Sequence, residues 1–289
     1  ERAPPVSTQL MEQRMDVQER VKVGATNFVQ GVADHKRRFA FVVLIDVSGS
    51  TSRLPDPDIH RINNAVNELI KLLKDPPKDS TVYANRDAID LSIIAYNEQV
   101  MDILDWTEVK DLPDHVEEMR GKGGTHMGDA LEYAVDKCIR INEGYASRSI
   151  TNGMPHIIHL TDGIPTDLLP IDGPAWNAIR AKLSRFDGRT KDLKRANILH
   201  FCAPKAYSVK AENGKSGAEL LALLTGKNTV LAIGKDMPPF EQLAQFVTVF
   251  MDSLIAGGND DVPESVEDAK RQLPFDETES DPDDELEVG

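Results

Sequence analysis

Oxygen-bearing side chains at three places in this chain have the types and spacing of a metal site. Asp46, Ser48 and Ser50 alternate with other residues in one short segment, while Thr125 and Asp162 lie far along the chain. Alternate residues of an extended segment point the same way, so one carboxylate and two hydroxyls can converge on one ion. Mg²⁺ prefers near-octahedral oxygen ligands and usually keeps some water. The five residues therefore predict a site for Mg²⁺ or Mn²⁺ that leaves room for one outside ligand.

Both carboxylates follow segments that have the character of buried strands. Residues 39–45 are apolar and precede Asp46, and the mostly apolar residues 157–161 precede Asp162. Open α/β sheets bind their ligands beyond the carboxyl ends of parallel strands. We therefore expect the two carboxylates to meet at one edge of a sheet.

Strand-like and helix-like segments alternate along the rest of the chain. After the first strand, apolar residues recur at helical spacing until Pro76 and Pro77 end the pattern. Two strand-like runs at 88–96 and 100–106 flank a short polar turn and predict a hairpin. The alternation predicts a Rossmann-like, doubly wound α/β fold: a mostly parallel six-stranded sheet with one antiparallel edge strand and helices on both faces.

Composition divides the chain into three parts. Residues 1–37 predict a partly helical N-terminal extension, 38–257 the α/β domain, and 258–289 an acidic tail. Residues 259–289 hold 13 Asp and Glu against two basic residues, so they carry −11 of the chain's net charge of −15. A segment with so many charges and few apolar residues cannot bury enough surface to fold, so the tail is predicted to be disordered.

The order Asp-x-Ser-x-Ser, distant Thr, distant Asp resembles the metal-ion-dependent adhesion site of von Willebrand factor A (VWA) domains. The resemblance implies that Ser48 and Ser50 bind the metal directly, that Asp46 and Asp162 supply carboxylates, and that Thr125 joins in the ligand-bound form. It also implies that an Asp or Glu of a protein partner completes the site. The expected function is therefore an interaction module and not an enzyme.

A second run, Thr-Asp-Gly-x-Pro-Thr-Asp at residues 161–167, is similar to the TerY-like branch of VWA proteins, which is linked to bacterial tellurium resistance. This branch implies a bacterial cytoplasmic adaptor that works beside a protein kinase and a protein phosphatase. His126 and Asp167 are candidate partner contacts because they lie next to the predicted site. A packed or solvated histidine, and a helix cap or turn, are the respective alternatives.

Composition also limits the classes of function. The chain has no apolar stretch of about 18 residues, so no membrane-spanning helix is expected. Its two cysteines, Cys138 and Cys202, are too few for a disulfide framework and are predicted to be buried small hydrophobes, which favours the cytoplasm. Nothing in the charge pattern indicates nucleic-acid binding.

Two other functions fit parts of the pattern. A Mg²⁺-dependent phosphohydrolase of the haloacid dehalogenase type also places an Asp at the end of the first strand, but it needs a second Asp where this chain has Ser48. Alternatively, the acidic tail would present a carboxylate to its own metal site or to that of a second copy. That arrangement predicts self-inhibition or self-association.

Overall fold

A computed structural model describes residues 36–52, 58–186, 198–225, 230–233, 242–257 and 262–273. The predicted N-terminal extension lies outside these ranges up to residue 35. The strands of the described residues are β1 (Phe39–Asp46), β2 (Ile89–Tyr96), β3 (Val100–Glu108), β4 (His156–Thr161), β5 (Ile198–Cys202) and β6 (Val230–Ala232). They form one sheet with the order β3-β2-β1-β4-β5-β6.

The strand directions confirm the predicted sheet. Every neighbouring pair runs parallel except β2 and β3, which form the antiparallel hairpin at one edge. The helices of the described residues are α1 (Asp58–Lys74), α2 (Thr81–Asn85), α3 (Met127–Ala146), α4 (Pro174–Phe186), α5 (Lys205–Ser208), α6 (Gly217–Thr225), α7 (Leu243–Ala256) and α8 (Val262–Gln272). None of these helices has the length and apolarity needed to cross a membrane.

Both faces of the central strand β1 are covered, as a doubly wound fold requires. Val43 and Ile45 belong to the apolar core that includes α1 and α7, while Val42 and Leu44 belong to the core that includes α3, α4 and α6. Alternate residues of a strand face opposite sides, so one continuous apolar run serves both layers. All eight residues of β1 are buried, so this strand is held firmly in the core. The loop that follows its carboxyl end starts from this fixed position.

Part of the predicted disordered tail is folded, so that prediction is wrong for residues 262–272. These residues form α8, whose Val266 and Ala269 are buried against the core. Ser253 on α7 also donates a hydrogen bond of 2.6 Å to Asp268. A short helical stripe of apolar residues suffices to dock the helix, and the average acidity of the tail concealed it. Residues 274–289 lie outside the described residues.

The segment that leads from β3 to α3 is held against α1 by two asparagines. Asn63 donates to the carbonyl of Met119 and accepts from its N–H, both at 2.9 Å. Asn67 accepts from the N–H of Val116 at 3.0 Å. The two side chains satisfy backbone groups that a neighbouring strand would otherwise pair. They thereby anchor to α1 the segment that leads to Thr125.

Candidate metal centre

The structure brings the two predicted carboxylates to the same edge of the sheet. Asp46 is the last residue of β1, and Asp162 directly follows β4, which is the neighbouring parallel strand. Ile45 and Leu160, one residue before Asp46 and two before Asp162, are paired in the register of these strands. Both carboxylates are buried, with residue exposures of 0% and 3%.

The two serines join the carboxylates through a chain of hydrogen bonds. Asp46 Oδ1 accepts from the backbone N–H of Ser48 at 2.9 Å. The hydroxyls of Ser48 and Ser50 are 2.9 Å apart, and Ser50 donates to Asp162 Oδ1 at 2.7 Å. The loop after β1 therefore bridges the ends of two strands and places four of the five predicted residues in one network.

Asp46 lies in a setting that disfavours its ionised form. Its Oδ2 accepts from the Thr161 hydroxyl at 2.9 Å, so both of its oxygens are bound by neutral donors. Burial raises the pKa of Asp46 to about 6, and the negative charge of Asp162 adds to the increase. A cation between these carboxylates would oppose both effects.

Thr125, the fifth predicted residue, approaches the same place from a separate loop. A methyl group placed on Gly163 would lie 3.1 Å from Asp46 Oδ2 and 3.8 Å from Thr125 Oγ1, so both side chains lie against this glycine. The Thr125 loop is tied to the first loop by a hydrogen bond of 3.0 Å from the Gly49 N–H to the carbonyl of Gly123. The structure thus assembles all five predicted residues at one edge.

The two candidate partner contacts have different surroundings. His126 is exposed at the start of α3, where its Nδ1 lies 3.6 Å from Asp129 Oδ2. Asp167 Oδ2 accepts from the N–H groups of Gly128 and Asp129 at 2.8 and 3.3 Å. Asp167 therefore caps the amino end of α3, which is the alternative role considered for it, and the favourable helix dipole adds to these bonds.

A family comparison matches this geometry. Residues 41–211, more than half of the chain, match the model of the von Willebrand factor type A domain. The chain belongs to the VWA family. Domains of this family are generally protein-interaction modules, and they often bind a divalent metal at the adhesion site. No curated protein matches the sequence.

Solved structures share the VWA fold at low sequence identity. The pilus adhesin SpaC from Lactobacillus rhamnosus GG is 10% identical with a TM-score of 0.51, over 74% of this chain and 30% of that one. The ArnB paralog VWA2 from Sulfolobus acidocaldarius is 17% identical with a TM-score of 0.40, over 73% and 44%. Proximal thread matrix protein 1 from the mussel byssus is 15% identical with a TM-score of 0.40, over 75% and 46%. This chain thus spans less than half the length of each.

Sequence reasoning missed a lysine at the site of this VWA domain. Lys205 is the first residue of α5, just beyond the carboxyl end of β5. Its Nζ lies 3.1 Å from Asp162 Oδ2, and the two side chains are 30% and 3% exposed. β5 is the parallel neighbour of β4 in the sheet. Open α/β sheets bind ligands beyond the carboxyl ends of their strands, and this rule pointed to the residues after the first and fourth strands. Applied to the fifth strand, the same rule also points to Lys205.

A row of buried polar side chains leads from the site into the VWA core. Tyr96 is paired with Asp46 in the register of β1 and β2, and its hydroxyl lies 2.7 Å from His159 Nε2. His159 and His200 meet through their Nδ1 atoms at 2.7 Å, and His200 Nε2 lies 3.1 Å from the Thr225 hydroxyl. Burial lowers the pKa of both imidazoles, to about 3 for His200, so both are neutral. This row of side chains runs from the residue beside Asp46 to the end of α6.

The residues at this edge suit a small, hard divalent cation. They provide two carboxylates and three hydroxyls, which are the oxygen donors that Mg²⁺ and Mn²⁺ accept. Within the described ranges, no three His, Cys, Asp or Glu residues form a cluster that could hold a metal. A metal at this edge would therefore rely on the hydroxyls of Ser48, Ser50 and Thr125 and on water. The two ionised carboxylates would supply the charge.

Proposed function

We propose that this VWA domain is an adaptor that uses a divalent metal to bind an acidic residue of a protein partner. Ser48 and Ser50 bind Mg²⁺ or Mn²⁺ through their hydroxyls, Asp46 and Asp162 supply negative charge, and Thr125 joins when a partner is bound. When bound, the ion provides a Lewis-acidic position for one further oxygen. A carboxylate from a partner's Asp or Glu fills that position.

One observation carries this proposal: two buried carboxylates are linked by a serine bridge at the edge of the sheet. Ser50 donates to Asp162, while Asp46 is held by neutral donors and has its pKa raised by burial and by the charge of Asp162. Burying like charges close together is unfavourable unless a cation compensates them. Ser50 and Thr125 are only partly buried, so the loops leave the site within reach of a partner.

The segment 161–167, which resembles the TerY-like branch, suggests the setting. We propose a partner from a bacterial kinase- or phosphatase-linked stress or conflict system. His126, exposed beside Thr125, would contact this partner at the rim of the site.

An affinity capture from lysate of the source organism tests the adaptor function. The chain is immobilised as wild type and as Asp46→Ala, each with Mg²⁺ and with EDTA. Asp87→Ala is the matched control, because it removes a carboxylate from the other end of the sheet. Proteins retained only by wild type and Asp87→Ala in Mg²⁺ support the proposal. Proteins retained equally under all conditions would place recognition on another surface.

The phosphohydrolase alternative depends on a lysine near the site and on an Asp46 that can reach a phosphate. Lys205 Nζ lies 3.1 Å from Asp162 Oδ2, although such enzymes carry their lysine before the last Asp and Lys205 follows it along the chain. However, Asp46 is fully buried with both oxygens bound, and Ser48 stands where the family has an acid. Asp46 is therefore poorly placed to attack a phosphate. Hydrolysis of an aryl phosphate that Asp46→Ala abolishes would overturn the adaptor proposal.

Self-association through the acidic tail remains the third hypothesis. Because α8 packs on the core, only residues 274–289 can be deleted without removing a docked helix. That segment holds eight Asp and Glu and no Lys or Arg. If the tail occupies the site, its deletion should increase partner retention in Mg²⁺. Equal retention and an unchanged oligomeric state would contradict this hypothesis.

A further inference from the structure

Among the described residues, the only ammonium group found in contact with a site carboxylate is that of Lys205, at the start of α5. Lys205 Nζ lies 3.1 Å from Asp162 Oδ2, and Ser50 donates to the other oxygen, Oδ1, at 2.7 Å. Both oxygens of Asp162 are thus already occupied by donors of the chain. A metal that draws on the charge of this carboxylate competes with Lys205 for it.

The charge at the site changes sign when a metal replaces this contact. Without metal, two carboxylates face one ammonium, so the group carries a net negative charge. A divalent ion makes the same group positive, and Lys205 then repels the ion across a few ångströms. The lysine is 30% exposed and has a flexible stem, so it can turn toward water while Asp162, at 3%, cannot.

We propose that Lys205 is a tethered cation that neutralises Asp162 in the metal-free protein and that a divalent metal must displace. Lys205 thereby weakens metal binding and keeps the buried carboxylates partly compensated when metal is scarce. This inference rests on the proposed metal site and assigns a further residue to its control.

The affinity for Mg²⁺ alone, measured by calorimetry on the full chain, tests the competition. Lys205→Met should bind Mg²⁺ about three- to tenfold more tightly than wild type, because the competing ion pair is lost. Lys205→Arg should stay near wild type, since it keeps the charge. Lys210→Met is the matched control, because Lys210, which lies between α5 and α6, pairs with the exposed Glu219 of α6. It should leave the affinity unchanged.

Chemical labelling of lysines shows whether the ammonium is released. With an acylating reagent and peptide mass spectrometry, Mg²⁺ should increase the labelling of Lys205 and leave that of Lys210 unchanged. In Asp46→Asn, Mg²⁺ should leave the labelling of both lysines unchanged. A lysine with a purely structural role would not respond to the metal in this way.

The outcomes separate this inference from the proposed function. If wild type binds Mg²⁺ and Lys205→Met binds it equally or more weakly, the tethered-cation role is wrong and the metal site stands. If wild type does not bind Mg²⁺, both proposals fail together. Melting temperatures in EDTA establish that each variant is folded before its affinity is compared.

Discussion

Both ends of the sheet bury a carboxylate, but within the described part of the chain only the amino end gives it a two-pronged guanidinium partner. There, Asp90 is held by Arg38, whose Nε lies 2.9 Å from Oδ2 and whose Nη2 lies 2.6 Å from Oδ1. Tyr145 donates a further hydrogen bond to Asp90. Arg38 Nη1 donates to Glu108 Oε1 at 3.0 Å. Burial raises the pKa of Asp90, and the guanidinium offsets part of that increase.

Among the residues that the structure describes, the carboxyl end offers its carboxylates no comparable partner. Asp46 has an amide and a hydroxyl as donors, and the negative charge of a second carboxylate, Asp162, contributes to its raised pKa. The ammonium of Lys205 reaches only Asp162 and is partly exposed. A buried ion pair with a two-pronged guanidinium is complete within the protein. The carboxyl end, where Asp46 lacks such a partner, is therefore the end that we propose takes a cation from outside.

Breaking the amino-end pair should have the largest effect on stability. Arg38→Met leaves Asp90 buried without its cation and should lower the free energy of unfolding by about 3–5 kcal/mol. Urea denaturation measures this loss. Arg38→Lys keeps the charge but loses the two-pronged geometry. Its free energy of unfolding should therefore lie between those of wild type and Arg38→Met. A loss below about 1 kcal/mol for Arg38→Met would remove the contrast between the two ends.

Removing a charge at the carboxyl end should have the opposite sign. Because the pKa of Asp46 is about 6, above its ordinary 3.8, ionised Asp46 destabilises the metal-free fold at neutral pH. Asp46→Asn should therefore stabilise it there by about 1–3 kcal/mol. The difference should shrink as the pH falls from about 6 to 4 and vanish below 3.8, where wild-type Asp46 is protonated in both states. Urea denaturation in EDTA across this range checks the sign; a destabilised variant at neutral pH would contradict it.

Two buried tyrosines should show the same contrast between the ends of the sheet, with smaller losses of stability. Tyr145 donates to the ionised Asp90, whereas Tyr96 is hydrogen bonded to the neutral His159. Bonds to charged groups are stronger, so Tyr145→Phe should cost about 2 kcal/mol of unfolding free energy and Tyr96→Phe about 1 kcal/mol. The same denaturation experiment compares them. Equal losses would show that the charge of Asp90 contributes nothing to its bond.

The smallest effect is expected for an exposed ion pair near the amino end. Lys36 Nζ lies 2.9 Å from Asp87, and the side chains are 42% and 34% exposed. Solvent screens such pairs, so Lys36→Met should change the unfolding free energy by less than about 1 kcal/mol. If Lys36→Met lost as much unfolding free energy as Arg38→Met, the contribution of an ion pair would depend on its position near the sheet and not on its burial.

The fold could be predicted because its signals are local. The apolar run of β1, the helical spacing in α1 and the short turn of the β2–β3 hairpin each reflect residues that are close in sequence. α8 was missed because its few apolar contacts with α7 are a tertiary feature. The short helices α2 and α5 contain too few residues to show a period.

The candidate site was only partly accessible to sequence reasoning. Asp46 and Asp162 could be expected at one edge because strand ends in a parallel sheet converge there. Lys205 could not be paired with Asp162 without knowing that β5 lies beside β4. The anchoring of the Thr125 segment by Asn63 likewise depends on the packing of α1, which a single sequence does not reveal.

The central claim is that Asp46 and its neighbours hold one divalent ion. Electron paramagnetic resonance can count Mn²⁺ bound to the full chain at neutral pH, for wild type and Asp46→Asn, with Mg²⁺ added as a competitor. We predict one bound Mn²⁺ in wild type, displaced by Mg²⁺, and none in Asp46→Asn. Absence of bound Mn²⁺ in wild type, or equal binding by the variant, would contradict the claim.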